Sequence, residues 1–98
     1  MIIERNFRCR LGEADIIAKK DGYLIFCEVK YRATDAMGMP QEAVDRKKRR
    51  RICNVASYYI YSRHIPQDTA VRFDVAAVSD DSVQMIENAF EYSGAFKA

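Results

Sequence analysis

An α/β domain built on a mixed β-sheet is the fold class this sequence predicts, and three observations predict it. Five short segments rich in branched and aromatic residues are separated by turn residues, and a stretch at 41–63 without Gly or Pro lies between the third and fourth of them. The chain has 98 residues, enough for one compact core and too few for two, so a single domain over 1–98 is expected. The resulting order of strand, strand, strand, helix, strand, strand favours a sheet with both parallel and antiparallel pairs.

Each element has a local reason. "IIERNFRC", Ile2–Cys9, is branched and aromatic enough for a first strand. "EADIIAK" and "YLIFCEVKY" form a strand pair around "KDG", where Asp21-Gly22 suits a tight hairpin because Gly accepts positive φ without steric penalty. "RATDAMGMP" reads as a loop by its Gly38 and Pro40. The stretch 41–63 is the main helix, "VRFDVAAV" and "SVQMIENAF" are two further strands around "SDDS", and a short C-terminal helix is allowed after Asn88.

Composition narrows the chemistry. Apolar residues make up 49% of the chain and aromatics 11%, which argues against disorder, and two prolines and four glycines argue against a low-complexity tail. No apolar run approaches the roughly 20 residues needed to cross a bilayer, and no basic-then-apolar leader is present, so a cytoplasmic protein without membrane contact is expected. Cys9, Cys27 and Cys53 are odd in number and far apart, which fits reduced packing residues better than disulfides or a CxxC metal site. With His64 as the only histidine, a zinc centre or a Ser/His/Asp system is nearly excluded. Carboxylates and amines remain.

The net charge of +2 is unevenly spread. "DRKKRRR" at 45–51 places six cations behind one acid, while acids gather at Glu13 and Asp15, at Asp80 and Asp81, and near the C-terminus. Such asymmetry suggests an anionic partner. Wound at 3.6 residues per turn, the helix puts Val44, Ile52, Val55, Ala56 and Tyr59 on one stripe, and Arg46, Arg50, Asn54, Ser57 and Tyr61 on the other side. Lys48 falls near the middle of the apolar stripe, where it must snorkel to an edge or meet an acid.

The sheet offers acids. Alternation points Glu13 and Asp15 one way on the second strand, and Glu28, Lys30 and Arg32 one way on the third, which reads as a central strand covered on both sides. Pairing around Asp21-Gly22 brings Asp15 near Glu28, and two carboxylates at that distance repel unless a proton, an amine or a cation joins them. Two carboxylates with a backbone carbonyl make a hard oxygen site of the kind Mg²⁺ or Mn²⁺ prefers. Lys30, on the same face as Glu28, is placed to orient a water or stabilise negative charge on a phosphate. The spacing fits phosphodiester hydrolysis, although a salt-bridged cluster on an exposed face is the plainer reading of the local pattern.

Asp15 followed by Glu28-Val29-Lys30 resembles the D…(D/E)xK signature of restriction-endonuclease-like nucleases. More closely, "GEADIIAKKDGYLIFCEVKYR", "MGMPQEAV", the spacing from Lys48 to Ala56 and "VRFDVAAV…MIENAF" are similar in order and spacing to the YraN family, related in fold to Holliday junction resolvases. The resemblance covers almost the whole chain. It implies a restriction-endonuclease-like mixed sheet flanked by helices, a metal at Asp15 and Glu28 with the Val29 carbonyl as a further ligand, and Lys30 as the catalytic lysine. Relatives begin with a further helix whose glutamate faces the site, and this sequence starts at the strand after it, so a fold lacking that N-terminal helix is expected, with a homo-oligomer as one way to cover the sheet.

The remaining candidates have two readings each. Glu13 either supports the metal through water or caps the turn after Gly12. Lys48 either serves the site or forms a structural ion pair with Glu28. Arg72 and Asp74 read first as a structural ion pair and second as a polar wall supporting the site. Arg32, Gln41, Lys47, Lys48, Arg50 and Arg51 are candidate phosphate contacts, against the plain alternative of a solvated helix surface. Tyr58, Tyr59 and Tyr61 read as core and rim, and His64 as a loop residue after the helix. The function expected is Mg²⁺- or Mn²⁺-dependent hydrolysis of DNA, branched or otherwise shape-defined, with Asp15, Glu28 and Lys30 catalytic. The alternatives are a nuclease-fold nucleic-acid-binding module without turnover, and a structural or protein-binding domain.

Overall fold

A computed structural model describes residues 1–31 and 45–92. Five strands form one sheet in sequence order: β1 (Ile2–Cys9), β2 (Gly12–Lys20), β3 (Tyr23–Tyr31), β4 (Ala70–Val78) and β5 (Val83–Phe90). The helix α1 (Arg46–Ser62) follows β3 and makes the crossover that lets β4 run parallel to β3, while the other pairs are antiparallel. This is the mixed α/β sheet the sequence predicts. Asp21 (φ 53) and Gly22 (φ 81) both take left-handed backbone in the β2–β3 turn, as a two-residue hairpin of this composition favours, and Lys20 then faces Tyr23.

The core lies between α1 and one face of the sheet. Leu24, Phe26, Phe73 and Val75 come from the central strands, and Ile52, Val55, Ala56 and Tyr59 come from the helix. Tyr59 meets Phe7 and Phe26 edge-on, at 5.0 and 5.8 Å between ring centroids, and Phe73 stacks on Phe26 and Phe90. Each fully buried Leu or Phe is worth about 1.5–3 kcal/mol, so this aromatic layer fixes how the helix sits on the sheet. Gly12 (φ +144) marks the closest approach, since a Cβ there would stand 3.0 Å from Val55 Cγ2.

In β2 the strand alternation breaks at a place that matters. Ala14 pairs with Phe7 and Ile17 pairs with Phe26, and both phenylalanines touch Tyr59, so Ala14 and Ile17 both face α1 although they are three residues apart. The alternation therefore slips by one across Asp15 and Ile16. On the neighbouring strand, Asn6 absorbs the same irregularity with φ 54.

Several expectations are corrected. Among the described residues α1 is the only helix, and it packs on one face of the sheet. Ser57, expected on the outer side of α1, is buried at 4% exposure, with its hydroxyl hydrogen-bonded to the Tyr92 hydroxyl. The reason is that the chain leaving β5 packs along that flank, where Cys53 Sγ also meets the Glu91 carbonyl at 3.9 Å. Strand β5 continues past Asn88 to Phe90, and residues 93–98, where a C-terminal helix was allowed, lie outside the described residues. So do residues 41–44 of the expected main helix.

Candidate functional site

The slip in β2 places Asp15 where the β2–β3 ladder stops. The last paired residues are Ile16 and Cys27, and continued register would set Asp15 opposite Glu28. Asp15 instead spends its side chain on the strand, as its Oδ2 accepts from the Val29 N–H at 2.8 Å. The carboxylate thereby replaces a ladder carbonyl and is fixed beside β3. In a strand the N–H and C=O of one residue leave by the same edge, so the Val29 carbonyl is directed to the side where β2 no longer pairs.

Glu28 projects from the helix-facing side of β3, its neighbour Val75 on β4 belonging to the core. Its side chain is only 12% exposed, and the Lys48 Nζ stands 3.0 Å from its Oε1 with the lysine side chain 30% exposed. Burial raises the Glu28 pKa most; Lys48 opposes this through its hydrogen bond and charge, while Asp15 adds to it through charge and a hydrogen bond. The two carboxyls are thus close enough to feel each other, as their hairpin positions suggest, and the cation between helix and strand is Lys48. Lys30 projects from the same face two residues on, half-buried, with no hydrogen bond or ion pair among the described residues.

Other candidates sort by face. Glu13 is turned away from α1 by the slip and pairs with Arg8 across the β1–β2 hairpin at 2.8 Å, so it stands apart from Glu28. Asp74 lies beside Cys27 in register, on the sheet face opposite Phe73 and Val75, and is 4% exposed. It accepts two bonds from Arg72, at 3.0 and 2.9 Å, and one from the Asn88 N–H at 2.9 Å. Arg72 and Asp74 form the ion pair expected of them, on the sheet face away from Glu28. Cys27, with its thiol pushed up to about 11 by burial and then by Asp74, Asp15 and Glu28, is a packing residue and no nucleophile. Arg32 and Gln41 lie outside the described residues.

Helix α1 begins with a local conflict. Asp45 caps it, accepting from the Lys48 N–H at 2.9 Å, but the first turn holds no acid and the six cations at 46–51 crowd the positive end of the helix dipole. Cations there are unfavourable without an anion. Lys47 and Arg51 are exposed on the flank next to Lys48, with Arg51 reaching over Gly12, whereas Arg50 is exposed on the outer side. Arg49 stands over the Phe90 ring at 5.5 Å.

The donors at hand suit a hard cation. Among the described residues no three His, Cys, Asp or Glu side chains form a metal cluster, so a divalent ion would be held by Asp15, Glu28 and the Val29 carbonyl, with water completing the shell. That Glu28 already draws an ammonium at 3.0 Å shows the position attracts positive charge. Two features escaped the sequence: the Asp15 bond to the Val29 N–H, and the pairing of Glu13 with Arg8. The first accompanies the slip at Asp15 and Ile16, for which the "ADII" sequence carries no Gly or Pro signal, and the second comes from direct β1–β2 register.

Residues 1–78, a span that includes Asp15, Glu28, Lys30 and Lys48, match the family model described as "Uncharacterised protein family UPF0102". The chain is 47% identical over 93 residues to a UPF0102 protein of Lachnoclostridium phytofermentans, covering 95% of this chain and 79% of the relative. It is 40% identical over 90 residues to one of Persephonella marina, covering 92% and 77%. It is 46% identical over 87 residues to one of Fusobacterium nucleatum, covering 89% and 72%. No helix among the described residues is long and apolar enough to cross a membrane.

Proposed function

This chain belongs to the UPF0102 (YraN) family, and from that footing we propose that it is a restriction-endonuclease-like, Mg²⁺-dependent hydrolase of DNA phosphodiesters, directed to branched or otherwise shape-defined DNA. The observation that carries the reading is a largely buried carboxylate, Glu28, gathered with Asp15 and Lys48, with Lys30 two residues on along the same strand face, at the cation-rich start of a helix.

Asp15 and Glu28, with the Val29 carbonyl, would hold the divalent ion. When bound, the ion supplies Lewis-acid polarisation of the phosphate and a more acidic water. Lys30 would orient the attacking water and stabilise the negative charge that grows on the phosphate. Lys47, Lys48 and Arg51 hold the DNA backbone through sequence-independent contacts that weaken with salt, helped by the N-terminal dipole of α1, and Arg50 on the outer side reaches a more distant phosphate. The substrate is therefore recognised by the placement of its phosphates, which suits a shape-defined DNA.

Cleavage of linear, flapped and four-way DNA with and without Mg²⁺ tests this, using Glu28→Ala and Lys30→Ala. Mg²⁺-dependent cleavage lost in both variants is expected; cleavage that survives both removes the mechanism. The second reading, a DNA-binding module without turnover, is favoured by one feature: Lys48 already neutralises Glu28. It predicts salt-sensitive binding with no cleavage under any divalent ion.

A further inference from the structure

The contact between Lys48 and Glu28 has two unequal partners. Glu28 is anchored on a central strand, with 12% of its side chain exposed, whereas Lys48 sits in the first turn of α1 with 30% exposed and a long flexible stem. The carboxylate cannot leave, but the ammonium can. Lys48 also differs from Lys47, Arg50 and Arg51, which are exposed, because it reaches inward to Glu28. A lysine placed in the apolar stripe of a helix is held there by the charge it meets, and loses that reason once another cation neutralises the acid.

We infer that Lys48 is the resident counter-ion of this site: a divalent cation entering at Asp15 and Glu28 displaces its ammonium, which then swings to the helix rim and joins the phosphate-binding cations. The exchange rests on the metal reading of Asp15 and Glu28. It deepens that reading by making one residue respond to the ion and to the DNA in turn. Without the divalent ion, Lys48 pairs with Glu28 and is withheld from DNA. With it, Lys48 is released to the same side as Lys47 and Arg51, so ion and DNA favour each other's binding. The hydrated Mg²⁺ or Mn²⁺ must outcompete a covalently tethered amine, so the affinity for the ion is weakened by the lysine it displaces.

Calorimetric titration of Mn²⁺ into the whole metal-stripped protein tests the exchange, with Lys48→Met, Lys48→Gln, Lys48→Arg and Glu28→Gln alongside wild type, each checked for folding by circular dichroism. Lys48→Met and Lys48→Gln are expected to bind Mn²⁺ at least about tenfold more tightly than wild type, the factor that displacing an ion pair of about 1.4 kcal/mol would cost, with Lys48→Arg close to wild type. Binding in wild type that Glu28→Gln abolishes, but that neither neutral variant tightens, overturns the exchange and leaves the metal site standing. No Mn²⁺ binding in wild type or in either neutral variant overturns the metal site and the exchange with it.

Discussion

Replacing Lys48 by Met, with metal removed, isolates what the lysine does for the fold. The pair is neither exposed nor fully buried, at 30% and 12% side-chain exposure with 3.0 Å between Nζ and Oε1. Exposed pairs contribute about 0.2–1 kcal/mol, and breaking a buried one costs about 3–5 kcal/mol because a charge is left behind. An intermediate loss of about 2 kcal/mol at pH 7 is expected, or roughly 10 °C in Tm for a domain of this size. The loss depends on pH with a definite sign. Burial raises the Glu28 pKa, so the folded state holds this proton longer than the unfolded chain, and the contribution of Glu28 to stability is lost as pH rises from the ordinary glutamate value of about 4.3 through the raised folded value. Removing Lys48 deletes both influences that lower that pKa and leaves those of burial and Asp15, so the window widens upward. Urea unfolding followed by circular dichroism should show the variant near wild type at pH 3.5 and falling steadily behind it by pH 7, with Glu28→Gln in the same chain restoring most of the difference. A loss independent of pH, or no loss at pH 7, would refute the assignment of Lys48 as the counter-ion of Glu28.

Three further outcomes follow from the geometry. Arg72→Ala strands the buried Asp74 carboxylate and should cost about 3 kcal/mol by urea unfolding, while cleavage per folded molecule stays at the wild-type rate because Asp74 lies on the sheet face away from Glu28; lost cleavage with intact stability would return Asp74 to the site. Gly12→Ala should destabilise by about 1–3 kcal/mol in the same assay, since its φ of +144 disfavours a side chain and the new methyl meets Val55 at 3.0 Å; a neutral result would mean that the helix and β2 yield freely there. Cys27, raised to about 11, should resist a thiol reagent at pH 8 in the folded protein and label rapidly in urea, as read by peptide mass spectrometry, whereas equal rates would place it in a different environment.

The elements were legible because their signals were local. Asp21-Gly22 fixed the hairpin, the alternation in "YLIFCEVKY" fixed β3, and the Lys48–Ile52–Val55–Tyr59 stripe fixed the face of α1 that packs inward. The same stripe exposed Lys48 as misplaced, and hairpin register then supplied Glu28 as its partner. What was not legible depended on departures from regularity. A slip across Asp15 and Ile16 leaves no mark in residue types, so Glu13 was assigned to the face of Asp15 although it turns away to Arg8. Ser57 was assigned to solvent because helical periodicity does not reveal that the chain after β5 returns over that flank. For Asp74, spacing gave the pairing with Arg72, but only the parallel register of β3 and β4 shows which face it occupies.

The proposed divalent-ion site at Asp15 and Glu28, where Lys48 now pairs with Glu28, is open to direct measurement. A crystal structure of the protein soaked in Mn²⁺, with anomalous scattering at the manganese edge, measures this directly. A peak bounded by the Asp15 and Glu28 carboxylates and the Val29 carbonyl is expected, with Lys48 Nζ moved out of reach of Glu28. Absence of a peak at saturating Mn²⁺, with Lys48 still 3.0 Å from Glu28, would contradict it.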